Sequence, residues 1–355
     1  MENRVYFIKV QENESDAVIA DKLAKTLQEH GLLSMIQPKD FVAVKTHFGE
    51  KHSKGYIRPI VMKAVGDEIR NTGGNPFLTE TSTLYRGERT NAVDHIRHAH
   101  SHGFGYEATG MPIIISDGLF GDEEIAVPIN GEYFKEVNIA AQIEKSQVLV
   151  NFSHFTGHII AGFGACIKNL GMGCVSRKGK LIQHSTQKPS IKTSKCTGCG
   201  NCIKWCPSDA ISLKNNIAVI KNRLCIGCGE CLAVCHYDAV GYNWGESYDV
   251  LQKKIAEHAL GVVQNKREKS LHINFLTRIS KECDCMGSYE PISPDIGILI
   301  SKDPVAIDQA SLDLFEGHNN SPISEKAFNI PYRLQIQHGE KIGLGSASYQ
   351  LVECE

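Results

Sequence analysis

Between Cys196 and Cys235 eight cysteines stand in two copies of one spacing, with two, two and three residues between successive thiols. The first copy, CTGCGNCIKWCP, holds Cys196, Cys199, Cys202 and Cys206 ahead of Pro207. The second, CIGCGECLAVCH, holds Cys225, Cys228, Cys231 and Cys235 ahead of His236. Thiolates at this spacing ligate cubane iron–sulfur clusters, so the chemistry they point to is one-electron transfer through two [4Fe–4S] clusters. Gly198, Gly200, Gly227 and Gly229 suit a backbone that curls tightly and aims N–H groups at cluster sulfurs. Zinc ribbons also pair thiols, but in one set of four with a long spacer between the pairs, which suits eight in tandem poorly.

Further candidates lie outside the run. Cys283 and Cys285 flank Asp284 in KECDCMG and can chelate from a loop or share a strand face. Cys166 and Cys174 flank a KNLGMG turn that follows His154 and His158. If residues 154–158 were helical, the two imidazoles would share a face. These six residues could hold an additional zinc, iron or cluster; the plain alternative is buried core thiols and loop-bonded histidines. The glycine-rich GFGACIKNLGMG could present backbone N–H groups, with Lys168 and Asn169, to an anion or substrate, although it is not a P-loop. Its glycines would equally permit close helix–sheet packing. KTHFGE offers His47 as an acid–base group or ligand beside Lys45 and Glu50, and TETSTLYRGER offers Glu80, Thr81, Tyr85 and Arg86. The catalytic candidates are therefore His47, Lys168 and Asn169. The run DHIRHAHSH reads as a solvated helix face rather than a metal site. Asp303 reads as a helix cap and Asp308 as a helix-face residue, while Cys354, next to the chain end, carries no expected role.

These groups need a scaffold, and the hydrophobic rhythm supplies one. VYFIKV, FVAVKTHF, PFLTET, PIIISD and QVLVNFSH read as strands; segments near residues 16–33, 58–71 and 91–102 read as helices, with hairpin-like material around Asn130-Gly131. After the cysteine run come a helix over about 247–263, the strands LHINFLTRI and IGILIS, and a helix from Asp303-Pro304 to about 315. Strands alternating with helices predict an α/β fold with a mainly parallel sheet and flanking helices. Its expected extent is residues 1–186 plus 246–355, interrupted by a small α+β domain over 187–245.

Residues from about Pro189 to Gly245 resemble the two-cluster ferredoxin domain. The halves KCTGCGNCIKWCPSDAISL and LCIGCGECLAVCHYDAVGY repeat one pattern. The resemblance implies a crossed ligand set, in which Cys196, Cys199 and Cys202 share a cluster with Cys235, and Cys225, Cys228 and Cys231 share one with Cys206. His236 stands where the pattern has Pro and leaves that set intact. Elsewhere GFGACIKNLGMGC, INFLTRISKECDCMG and PDIGILISKDPVAIDQASLDL occur in the order found in iron–sulfur centre proteins of the domain-of-unknown-function 362 family. That likeness covers nearly the whole chain and implies the interrupted α/β domain, but no substrate.

The composition, 42% hydrophobic and 22% charged with formal net charge −2, is that of a globular protein with no basic stripe for nucleic acid. No apolar run approaches the ~20 residues of a spanning helix, and MENRVYFIKV lacks a signal peptide's pattern. Thirteen cysteines then point to a reducing cytoplasm. Three functions are expected of such a chain. It could be an oxidoreductase whose clusters feed a site on the α/β domain, a carrier passing electrons between external partners, or a redox or iron sensor. The expected partner is a redox protein or a small-molecule substrate, with no nucleic acid and no membrane.

Overall fold

The computed structural model describes residues 3–354 apart from 86, 185–187, 226–228, 236, 238, 242–246 and 287. Eight strands make the central sheet: β1 (Asn3–Lys9), β2 (Phe41–Lys45), β3 (Asn75–Glu80), β4 (Ile113–Ile115), β5 (Val148–His154), β6 (Ser270–Leu276), β7 (Gly297–Ser301) and β8 (Tyr349–Cys354). Their order is β8-β1-β7-β6-β5-β2-β3-β4. Only β7 runs antiparallel to its neighbours; the other pairings are parallel. The expectation of a mainly parallel sheet holds. The sheet joins chain on both sides of the cysteine run, since β5 pairs with β6 from Leu149↔Ser270 to His154↔Phe275.

Alternation along each strand builds a core on both faces. Val42 and Val44 of β2, Val148, Val150 and Phe152 of β5, and Ile273 and Phe275 of β6 face α1 (Asp16–Glu29) and α2 (Pro59–Asn71). Ala43, Leu149 and Leu276 face the opposite layer, which contains α4 (Cys166–Gly171), α5 (Tyr248–Val263) and α6 (Pro304–Asn319), numbered after α3 (Ala92–Ser101). Each fully buried Val, Leu or Ile contributes on the order of 2 kcal/mol to this three-layer packing. The helices start where the chain supplies an acceptor: Ser15 caps α1, Asn91 caps α3, and Asp303 accepts from Val305 and Ala306 at α6. Asp303 is thus the expected cap. The hairpin expected around Gly131 is present, formed by Glu124–Pro128 and Glu136–Ala140.

One expectation is corrected in part. Of the histidines of DHIRHAHSH, His100 is exposed, but His95 and His98 lie on the inner side of α3 and are 0% and 3% exposed. His95 meets Phe48 edge-on, and His98 Nε2 sits 3.1 Å from the Gly49 carbonyl. Cys354 ends β8, where it stands opposite Ile8 of β1.

The segment between β5 and β6 has a small core of its own around Cys202, Ile211, Ala218, Cys231 and Val240. Ser190–Ile191 pairs with Val240–Gly241, and Ile211–Lys214 forms a hairpin with Ile217–Ile220. Asn215 and Asn216 close that hairpin with φ of 50° and 58°, the left-handed pair that matches strand twist in a two-residue loop. Trp205 meets Phe120 of the main body edge-on at 5.5 Å.

Candidate functional site

The chain leaves β2 towards β3 on one side and leaves β5 towards β6 on the other. The carboxyl ends of β2 and β5 therefore flank the point where strand order reverses, the place where open α/β sheets hold ligands. A small cleft of about 60 Å³ opens there, lined by His47, Ser153, His154, Thr156, Lys168, Asn169, Cys283, Asp284 and Cys285 among others. Six of the residues singled out from sequence (His47, His154, Lys168, Asn169, Cys283 and Cys285) meet in it. Two larger grooves border β1 and gather no comparable set.

Each wall has a structural cause. α4 carries Lys168 and Asn169, and its first N–H groups, from Cys166 and Ile167, donate to the Asp308 carboxylate at 2.8 Å each. Asn274 Nδ2 donates to the same carboxylate. This corrects the idea that the glycine-rich segment offers its backbone to an anion, because Asp308 of α6 already satisfies those donors. Asn169 is also committed. Its Nδ2 donates to Asn151 Oδ1 and the Phe152 carbonyl, and its Oδ1 accepts from Lys45 Nζ. It positions α4 against β5. Lys45 in turn pairs with Glu80 at 2.6 Å.

His47 accepts from the Gly49 N–H at Nδ1, while Arg89 Nη1 stands 2.9 Å from Nε2. Burial, then the charges of Arg89, Lys45 and Lys168, hold its pKa well below the ordinary value, so the ring stays neutral. Arg89 went unnoticed in the sequence. It is 1% exposed and also reaches Glu50, Glu80 and Tyr85. Its neighbour Arg86, chosen from the same phrase, lies outside the described residues. Thr81 donates to the Gly173 carbonyl and is a structural contact.

The CDC segment enters from the loop after β6. Asp284 Oδ2 meets His154 Nδ1 at 2.8 Å, its Oδ1 accepts from Ser53, and His154 Nε2 sits 2.8 Å from the Thr277 carbonyl. The neighbouring Cys283 thiol, then Lys168 and Arg89, lower the Cys285 pKa against burial, while Cys283 is pushed up. Lys168 Nζ has no hydrogen-bond acceptor among the described residues. Burial opposes its charge, yet Cys283, Cys285 and Asp284 raise its pKa.

The six residues proposed for an additional metal do not converge. Residues 154 and 158 fall in two strands rather than a helix, and His158 Nδ1 accepts from Ile160 and Ala161. Cys166 is buried beside Asn151, and burial pushes Cys174 up to about 12. Among the described residues no three His, Cys, Asp or Glu side chains are gathered for a single metal ion.

A cubane's four thiolates embrace a larger body than one ion and stand further apart. Cys196, Cys199, Cys202 and Cys235 line one recess, together with Gly198, Gly200 and Ala218. Backbone N–H groups point at the sulfurs: Ala218 to Cys196 at 3.4 Å, Ala210 to Cys206 at 3.2 Å and Ala239 to Cys235 at 3.3 Å. The last two repeat one geometry, four residues beyond each run's final cysteine. Gly198 and Gly200 have φ of 70° and 75°, so the turn suits Gly. The donor set and its N–H partners fit a cluster in this recess. For the second quartet, Cys225, Cys206 and Cys231 are described, while Cys228 and the neighbouring His236 lie outside the described residues.

The family model described as Domain of unknown function (DUF362) matches residues 42–313, and the chain belongs to that family. Among solved structures, the fold is similar to the lactate racemase apoprotein from Thermoanaerobacterium thermosaccharolyticum, at 10% identity and TM-score 0.39, over 78% of this chain and 50% of that one. It is also similar to a protein from Thermotoga maritima, at 11% identity and TM-score 0.46, over 88% of this chain and 61% of that one. The chain thus spans half to six-tenths of the length of these two. No curated protein matches it.

Proposed function

We propose that this member of the DUF362 family is an iron–sulfur oxidoreductase. In this reading residues 187–245 form a ferredoxin-like module with two [4Fe–4S] clusters, which exchange electrons with a small molecule in the cleft between β2 and β5. The observation that carries it is the gathering of Cys196, Cys199, Cys202 and Cys235, the crossed quartet, around one recess. N–H groups aimed at three of the cysteine sulfurs add support, since such donors stabilise thiolate charge and tune cluster potential. The clusters would supply reversible one-electron transfer. The chain's own residues do the rest: Lys168 places an uncommitted positive charge in the cleft, and Arg89 holds Glu50 and Glu80. The His154–Asp284 pair fixes the CDC segment against β5.

A carrier role is favoured by a separate observation. Cys199 is exposed, and Trp205 and Tyr237 beside the cysteine runs are 41% and 48% exposed, an apolar rim suited to an external redox protein.

Anaerobic purification with metal and sulfide analysis tests the cluster assignment. The expected content is about eight irons and eight acid-labile sulfides per chain, with Cys235→Ser losing about half. Tight stoichiometric zinc without labile sulfide overturns it. Reoxidation of the dithionite-reduced chain by small molecules, slowed in Lys168→Met, supports the enzyme; reoxidation by protein partners alone supports the carrier.

A further inference from the structure

Two cysteines two residues apart on the wall of one cleft can do more than line it. We propose that Cys283 and Cys285 form a reversible dithiol–disulfide couple that exchanges with small carboxylate-bearing disulfides. The proposal deepens the oxidoreductase reading by naming the substrate class, and rests on it for the source of electrons.

Geometry carries it. Cys283 to Met286 make one tight turn, closed by the Met286 N–H donating to the Cys283 carbonyl at 3.0 Å. In a 3₁₀ turn residues two apart have Cα atoms about 5 Å apart, inside the range a disulfide spans. Both sulfurs border the cleft, and Cys285 is the more open of the two. The groups facing Cys285 are Cys283, Lys168 and Arg89, which favour its thiolate, and Asp284, which opposes it. Asp284 is itself held by His154, so its negative charge is partly answered within the wall. Lys168 is the second, independent pointer. A half-buried lysine on the cleft wall, with no acceptor among the described residues, suits a carboxylate delivered from outside.

The chemistry balances. The Cys285 thiolate attacks one sulfur of R–S–S–R′; the new Cys285–S–R bond forms, the S–S bond breaks, and R′S⁻ leaves to take a proton from solvent. Cys283 then loses its proton and attacks the Cys285 sulfur, closing the Cys283–Cys285 disulfide and releasing RS⁻, which takes up that proton. The substrate is reduced by two electrons and the pair is oxidised by two. Return to the dithiol consumes two electrons and two protons, the electrons drawn from the reduced clusters of the preceding reading.

The test uses the full chain, prepared anaerobically and equilibrated in glutathione redox buffers. Alkylation then traps free thiols, and mass spectrometry follows the peptide containing residues 283–285. Oxidised glutathione should close one disulfide within that peptide, Cys283→Ser should accumulate a glutathione adduct on Cys285, and Cys285→Ser should abolish both products. Lys168→Met should slow alkylation of Cys285 about tenfold below pH 8 and move its midpoint upward. Iron and sulfide measured on the same samples separate the two readings. Disulfide closure without iron sinks the clusters and leaves the couple standing. Cys283 and Cys285 staying reduced throughout, or iron lost in either serine variant, overturns the couple.

Discussion

Asp284→Asn keeps the size of a buried side chain and removes its charge. Asp284 and His154 are 2.8 Å apart, with side chains 7% and 4% exposed, and Asp284 also accepts from Ser53. Removing one member of a buried pair costs about 3–5 kcal/mol. The amide can still accept from Ser53, and His154 can release its proton, so about 3 kcal/mol is expected. With an unfolding entropy of about 2.1 cal/mol/K per residue, this lowers Tm by about 4 °C in a chain of this size. The effect should follow pH. Burial opposes the His154 charge, but Asp284 and the Thr277 carbonyl raise its pKa above 6.5. Its share of stability is fully present below 6.5 and is lost as pH rises through the raised value. Burial likewise opposes the Asp284 charge, but His154 and Ser53 hold its pKa below 3.8. Its share is present above 3.8 and is lost as pH falls through the lowered value. The pair therefore contributes most between these limits. Calorimetry of wild type and variant should give a gap of about 4 °C at pH 6 that narrows at pH 9. An equal gap at both pH values, or one below about 1 °C at pH 6, would refute the reasoning.

Four further substitutions, two of them controls, probe how the cleft is built. A Cβ on Gly171 would lie 2.0 Å from the Ile255 carbonyl oxygen. Gly171→Ala should therefore push α4 from α5 and cost roughly 3 kcal/mol or more, read as a fall in the urea midpoint. At Gly164 the nearest atom is the flexible Lys168 Cδ at 3.1 Å, so Gly164→Ala serves as the mild control. Arg89→Met leaves the Glu50 carboxylate without its guanidinium partner and Glu80 with Lys45 alone, and should cost about 3 kcal/mol. Arg89→Lys should recover only part of this, since an ammonium cannot reproduce the fork; stability near wild type in Arg89→Met would refute the assignment.

The sheet was legible because FVAVK, QVLVNF and LHINFL bury both faces and leave no ambiguity of period. The cleft was legible in part, because strand ends in a parallel sheet meet at one edge, which brought His47 and Lys168 together. Three features were not legible. Asp308 caps a helix 140 residues earlier in the chain, a partnership with no local signature. The inward turn of His95 and His98 depends on Phe48 and Gly49 arriving from another strand end. Arg89 is folded inward, and nothing in the phrase LYRGER marks it for burial. β8 escaped notice because its residues are only half-buried at a sheet edge, where alternation is weak.

The pairing of Phe7 with Leu299 and of His154 with Phe275 has a consequence for how the molecule is made. β1 is synthesised before the cysteine-rich segment, but both strands that pair with it, β7 and β8, follow that segment. β5 likewise waits for β6 while the whole cysteine-rich segment is translated. Non-local closure of this kind makes folding slow and leaves strand edges open in the interim. The central sheet must therefore close late, after the cysteine runs have been translated. In the iron–sulfur reading proposed above, iron and sulfide would then meet a chain whose cleft between β2 and β5 has yet to form.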